Sequence, residues 1–422
     1  MSINIYEPIK WLLIISLLTS LQSYTQENWT NCLGNQICTP VEYDEPKSLR
    51  ELCEKVNEAV LKNQTIKAIG NGYSISDIGC TNGRLISLKY LNQIRSIDLE
   101  KKLVRVEAGI SISELNEKLA VYELALPNQA AITEISLGGA LSTGVHGTGH
   151  TGTLSSFLRE IELITADGTL LKLSPNSDCE AFEAAAVGLG SLGIIYAVTL
   201  QCESLFYLRP AQEITTLEYV LESYKTLNDS NDFFQFFWNT DNNSVVINKW
   251  NRCEKNDSKD SIPSYKALPW YLIDANDKDL FSEIAVPIDF LAVVVDKIAE
   301  LIQKYRDLGA KVTDLNIRFV EKDLHALLSP ASNGPVAYIA FCILEEDKHL
   351  MLYKDLEENM MRFQGRPHWG KINFLDYKKT LQLYGTNLEK FIQVKRRLDP
   401  NGVFSNQLIN HVLDPETTTY GE

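Results

Sequence analysis

Helical and strand periodicities alternate along the first two hundred residues of the chain. In "SLRELCEKVNEAV", Leu49, Leu52, Cys53, Val56 and Val60 recur at the three- and four-residue spacing of one helical face. Ser48 and Glu51 form a capping box at its start. "TIKAIG" alternates as a strand does and runs straight into glycines, and "RLISL" and "KLVRVEAG" read as further short strands. "SISELNEKLA" predicts a second helix capped by Ser111 and Glu114. "EIELITADGTLLKLS" predicts a hairpin turning at Asp167–Gly168. "AFEAAAVGLGSLGIIYAVTLQC" predicts a helix, a glycine-rich connection and an apolar strand, so the interspersed pattern holds as far as Cys202.

The pattern then changes. Between Phe206 and about Lys348 the chain is rich in aromatic residues, with "FFQFFW" and "VVINKW" as strands and "NRCEKNDSKDS" as a polar loop. "PIDFLAVVVDKIAELIQKYRDLG" predicts a helix with Pro at its start and Gly309 just past its end. A further helix in "KDLEENMMRF", the segment "GRPHWGKINF", another helix and a turn at "DPNG" complete the chain. Near the N-terminus, "KWLLIISLLTSLQS" carries an apolar run too short for a membrane span of about 20 residues and suited to a signal-peptide core. Cleavage after Ser23 and export are expected, with an uncleaved membrane anchor as the alternative.

The 422 residues have room for two or three domains. A net charge of −15 without any basic cluster excludes a nucleic-acid binder, which needs Lys and Arg against phosphates. Of the eight cysteines, Cys32 and Cys38 are close enough to close a small loop, and most of the others read as small buried hydrophobes. Sequons at Asn28, Asn63, Asn228, Asn242 and Asn256 allow glycosylation in a eukaryotic secretory pathway.

Three segments can carry chemistry. Gly70-Asn71-Gly72-Tyr73-Ser74 follows a strand, and successive N–H groups in such a turn make a concavity for a pyrophosphate. It is neither a Walker A loop nor a Rossmann fingerprint. "SLGGALSTGVHGTGHTGTLSS", residues 136–156, interleaves glycines with Ser, Thr and two His, and two such loops point to a large phosphate-bearing cofactor between them. His146 and His150 have no Asp, Glu or Cys at metal-ligand spacing, so no metal is expected. "RPHWGK", residues 366–371, places a His, a Trp and a Lys within four positions.

With "DIGCTNG", "DLEKKLVRVEAGI", "LALPN", "STGVHGTG", "TADGTLL", "VTLQC" and the closing "RRLDPNGVFSN", these segments resemble the aldonolactone oxidoreductases, in that family's order. This family belongs to the vanillyl-alcohol-oxidase class of flavoproteins. The resemblance implies an α+β fold: a two-part PCMH-type FAD-binding domain over 24–205, after a leader over 1–23. A cap with a mainly antiparallel sheet over 206–365 and a C-terminal segment over 366–422 that returns to the flavin would follow. FAD would lie against Gly70, Asn71, Gly72, Tyr73, Ser74, Ser136, Gly139, Thr143, Gly144, Val145, His146, Gly193, Ile194 and His368. Lys371 and Arg318 would be catalytic, and Ala131 and Asn316 would join them around the substrate. The implied reaction is hydride transfer from the C–OH carbon of a small sugar lactone, with oxygen or another electron acceptor reoxidising the flavin. An alditol- or oligosaccharide-type oxidase, or a flavin- or sugar-binding relative without turnover, fits the same scaffold.

Three positions depart from the family pattern. Tyr73 stands where many members carry the histidine that bonds to the flavin, so FAD is expected to be held non-covalently. Asn316 replaces a Glu. Ala130 stands where oxidases commonly have Gly, which places a methyl group on the approach of oxygen.

Overall fold

The capping box at Ser48 starts the helix Leu49–Leu61: the Ser48 side chain accepts the Glu51 N–H at 3.2 Å, and Leu52, Val56 and Ala59 are buried. The computed structural model describes residues 28–417 apart from 256–258, 270–279, 311, 313, 344 and 345, so the apolar leader and the Asn256 sequon lie outside the described residues. The helix shares its core with a parallel three-stranded sheet in the order Glu42–Asp44, Arg84–Ser87, Ile66–Ile69. Arg84, buried in the central strand, is paid for by three acids: it contacts Glu42, Asp44 at 2.9 Å and Glu58 at 3.1 Å.

A second, antiparallel sheet orders its five strands Leu170–Leu173, Leu158–Ile164, Ile194–Gln201, Leu103–Glu107 and Ile94–Asp98. The expected hairpin is its first pair. Leu170 faces Ile164 across the ladder, and Gly168 adopts the left-handed φ of +73° that the turn requires. Both sheets contribute to one hydrophobic core. The C-terminal helices Tyr377–Tyr384, Thr386–Leu398 and Gln407–Leu413 insert Leu383, Leu388, Phe391, Val394 and Ile409 into that same core, so the end of the chain returns to its beginning.

The middle of the chain forms an antiparallel eight-stranded sheet. Its order is Ile262–Pro263, Tyr207–Thr216, Ser244–Cys253, Phe233–Trp238, Leu315–Val320, Val336–Ile343, Leu280–Pro287 and Arg366–Pro367. Strand periodicity gives this sheet two unlike faces. Phe234, Phe236, Ile284, Ile317, Phe319 and Ile339 pack with residues of the helices Leu217–Asp229 and Leu291–Asp307 in a second core. Gln235, Glu283, Asn316, Arg318, Tyr338 and Ala340 occupy the alternate positions and form the other face. A mixed α+β architecture with a mainly antiparallel sheet is what the family resemblance implied.

Several local expectations change. Cys38 forms a disulfide with Cys80, 42 residues away, and Cys32 is free and exposed, so the small Cys32–Cys38 loop does not form. Asn228 is buried within the helix Leu217–Asp229, which removes its sequon as a glycan acceptor. The helix read from "KDLEENMMRF" begins earlier, at Glu346, and ends at Met361. The helix after Pro287 is preceded by a single 3₁₀ turn, Ile288–Phe290, and Gly309 ends it at φ +89°. Among the described residues, no helix is long and apolar enough to cross a membrane.

Closing a 42-residue loop removes unfolded-state entropy worth about 2–4 kcal/mol. Cys38→Ser with Cys80→Ser is therefore expected to lower the unfolding free energy by that amount, seen as a lower denaturant midpoint, without changing the fold. Equal midpoints for the double variant and the oxidised parent would show that the bond adds no stability.

Candidate active site

The strand Ile66–Ile69 ends at Gly70, and the backbone there lies against the second glycine-rich segment. A Cβ on Gly70 would fall 1.7 Å from Ser136 Oγ, at the start of the helix Leu137–Ser142. The third segment closes on the first: the Ile75 N–H donates to the Gly370 carbonyl at 2.8 Å, and Ser76 Oγ donates to the Trp369 carbonyl at 2.7 Å. Trp369 is fully buried and donates its indole N–H to the Leu328 carbonyl at 2.8 Å, which fixes the segment from the other side.

The three segments enclose a cleft with about 1400 Å³ of free space, part of it open to solvent. Gly70, Asn71, Gly72, Tyr73 and Ser74 line it, facing Ser136, Gly139, Thr143, Val145 and His146. Gly193, Ile194, Ala130, Ala131, His368, Arg318 and Lys371 complete the expected set. Gly144 does not line the cleft. Its φ of +70° turns the chain out of the helix, and a Cβ there would face Pro330 and Val187.

A second chamber of about 1010 Å³ adjoins the cleft and holds Asn316, Phe237, Phe281 and Phe341 among its lining residues. Tyr73, Ala131, Ile132, Glu283, Arg318 and Lys371 line both spaces and so mark their junction. Glu283 is the carboxylate of this set, and its side chain is only 3% exposed. Arg318 Nη2 donates to Glu283 Oε1, and Arg318 Nη1 donates to the His146 carbonyl at 3.3 Å. Arg318 Nε is buried without a partner.

Burial disfavours the charged form of Glu283, but the Arg318 guanidinium outweighs it and holds the carboxyl well below its ordinary range. Burial lowers His368 to about 3, so the ring is neutral, and its Nδ1 accepts the Gly370 N–H at 3.0 Å. Burial also lowers Lys371, against the pull of Glu283. His146 stacks on Tyr338 at 3.5 Å between ring centroids, and burial lowers its pKa too. His146, Glu283 and His368 bring ligand-type atoms within 4.8 Å of one another. With Arg318 and Lys371 also against Glu283, the group is a proton and charge network, in which a dication would meet two positive charges.

Sequence reasoning missed Glu283, Tyr338 and Lys67. Glu283 is a lone acid inside the apolar strand "FSEIAVP", a pattern that marks a partnered buried charge. Lys67 lies in "TIKAIG", lines the cleft beside Gly190 and donates to the carbonyls of Leu189 at 3.3 Å and Gly190 at 3.0 Å. Burial, with Lys395 nearby, lowers it to about 7.

These residues fit a flavin dinucleotide. The glycine backbones offer N–H donors for a pyrophosphate, and Gly70 packs so close to Ser136 that only a glycine fits that part of the cleft wall. Gly70→Ala forces Ser136 and the glycine loop apart. It is expected to weaken FAD binding at least tenfold, an effect of about 1.4 kcal/mol or more, in a titration of flavin fluorescence. Parental affinity in the variant would mean that the Gly70–Ser136 contact does not shape the cofactor site.

The comparisons agree with this geometry. Residues 41–174 match the model of an FAD binding domain, and residues 198–271 and 267–412 match the D-arabinono-1,4-lactone oxidase model, about half of the chain. The chain is 30% identical to the L-gulonolactone oxidase of Scyliorhinus torazame, over 92% of this chain and 97% of that one. It is 29% identical to an L-gulono-1,4-lactone dehydrogenase of Mycobacterium tuberculosis, over 92% and 99%. The structure of a cholesterol oxidase from B. sterolicum superimposes with a TM-score of 0.79 over 92% of this chain and 97% of that one, at 14% identity, a likeness of fold. The flavin cleft, the buried Arg318 and the match across both halves make this chain an FAD-binding oxidoreductase of the D-arabinono-1,4-lactone oxidase family.

Proposed function

We propose that the protein oxidises an aldonolactone at a C–OH carbon, in a pocket formed by the second chamber. The observation that carries this reading is the junction itself. Arg318, Lys371 and Glu283 stand together where a cleft fitting FAD opens onto a chamber fitting a small sugar ring. Bound FAD supplies the two-electron acceptor for the hydride. The chain's own residues do the rest. Arg318 Nε, a buried donor without a partner, polarises the substrate hydroxyl, and Lys371 adds positive charge where negative charge develops. Asn316 donates to the Phe236 carbonyl at 3.4 Å and leaves Oδ1 unpartnered, an acceptor for a sugar hydroxyl. Ile132, Phe237 and Phe281 provide apolar walls that keep water out.

The relatives that carry lactone oxidase and lactone dehydrogenase names support the substrate class. Tyr73 supports non-covalent FAD, because burial, with Cys32 and Glu134 nearby, pushes its phenol to about 12 and keeps it protonated. Ala130, buried on the cleft wall, supports slow reaction with oxygen. One series of measurements tests all three. Acid precipitation is expected to leave the flavin in the supernatant, and a gulono-, galactono- or arabinono-1,4-lactone is expected to bleach it without oxygen. Admitted air is expected to restore the colour more slowly than in Ala130→Gly. Bleaching by alditols alone would replace the lactone reading with the polyol one, and bleaching by neither would leave a binding protein.

Export through the leader is the corresponding proposal for location, and the Cys38–Cys80 disulfide supports it. Protein recovered from the medium or lumen of a host cell is expected to begin near Tyr24. A mature chain that still starts at Met1 would favour the anchor.

A further inference from the structure

The oxidation requires two departures from the substrate: a hydride from carbon and a proton from oxygen. Asn316 cannot take that proton, and Lys371 and Arg318 are donors. The cofactor cleft, beside the junction residue Glu283, does contain a group with a free lone pair. His146 Nδ1 lies 2.9 Å from the Gly147 carbonyl. A carbonyl only accepts, so Nδ1 carries the ring hydrogen of the neutral imidazole and Nε2 is bare. Nε2 is fully buried, has no hydrogen-bond partner and belongs to a residue lining the cleft. Glu283 Oε1 stands 3.4 Å from it, within ion-pair range but outside hydrogen-bond geometry.

A bare nitrogen facing a carboxylate is an arrangement that improves when the nitrogen gains a proton. We propose that His146 Nε2 accepts the proton of the substrate hydroxyl and that Glu283 is the positioning residue that stabilises the imidazolium so formed. The inference rests on the lactone-oxidising reading. In the step, the O–H bond breaks and its proton passes to Nε2. The C–H bond breaks with both electrons towards FAD, and the C–O bond becomes C=O. Two electrons leave the substrate and two enter the cofactor, and the positive charge left on His146 faces Glu283.

The fold prepares this pair from separate elements. Glu283 is opposite Ala340, and Ala340 is opposite Asn316, so Glu283 and Asn316 share a face with one small residue between them. The carboxylate therefore sits on the substrate side of the sheet, two strands from the amide. Other charged or titratable groups that bear on Glu283 are Arg318 from the strand Leu315–Val320, Tyr338 from Val336–Ile343, and His368 and Lys371 from the C-terminal segment. Tyr338 stacks on His146, and its pKa is held well above the ordinary phenol range by burial, so it does not compete for the proton.

The test follows anaerobic flavin reduction by stopped flow across pH with the lactone that bleaches the enzyme, and it titrates His146 by ¹⁵N NMR in the FAD-loaded protein without substrate. The rate is expected to fall on the acid side as His146 becomes protonated. His146→Gln, measured with FAD saturating, is expected to reduce at least about 30-fold more slowly and lose the acid limb. Glu283→Gln removes the anion that favours the imidazolium. It is expected to move both the acid limb and the NMR titration to lower pH by about one unit or more. Glu283→Asp, which keeps the charge, is expected to restore them. Parental rates in His146→Gln, an acid limb that survives the substitution, or an unmoved His146 titration in Glu283→Gln would each overturn the proposal. The NMR arm needs no substrate, so it reports on the pair even if no lactone bleaches the flavin.

Discussion

The buried ion pair between Arg318 and Glu283 is the constraint on which the rest of the site depends. Taking two charges out of water costs several kcal/mol each unless the geometry returns it. Here the two side chains come from strands separated by a third, on a face whose neighbours are Ala340 and Tyr338. Only that small residue and the register of the sheet allow the guanidinium to reach the carboxylate. With Nη2 fixed to Glu283 and Nη1 to the His146 carbonyl, Nε remains as the donor without a partner. The pair thus converts a flexible arginine into a donor of fixed direction.

A second set of contacts binds the sheet that carries this pair to the cofactor cleft. The backbone of Lys371 follows Trp369 and Gly370, whose carbonyls are taken by Ser76 and Ile75. The His368 N–H in turn donates to the Glu283 carbonyl at 2.8 Å. One short segment therefore touches the glycine loop through its carbonyls and the substrate sheet through an amide. Distances between the flavin cleft and the residues of the second chamber are set by backbone hydrogen bonds, which vary less than side-chain contacts do.

Charge at the junction is nearly balanced. Arg318 and Lys371 face one carboxylate, and burial keeps the two histidines neutral. A pocket with that balance accepts an uncharged sugar lactone without opposing field, and it holds its excess positive charge close to where negative charge arises during oxidation. Asn316 fits the same balance: a second acid at that position would meet Glu283 on the same face of the sheet.

Much of the fold was legible in the sequence because local physics decided it. Capping boxes at Ser48 and Ser111 fixed two helix starts, and both side chains accept the expected N–H. Asp167–Gly168 fixed a hairpin, since only glycine takes that turn without strain. Closely spaced glycines marked segments that line the cofactor cleft, because removing Cβ atoms lets the backbone approach a ligand closely. Arg318 and Lys371 were found through family resemblance, and the structure places them together. The partners of these residues were not legible. Cys80 and Glu283 are separated from Cys38 and Arg318 by stretches with no local signal of pairing. Which strand lies beside which, and which side chains then share a face, follow from long-range sheet register. Two glycine-rich loops and the family resemblance pointed to a large phosphate-bearing cofactor; tertiary structure alone decided which carboxylate stands beside the arginine, because register is a property of paired strands.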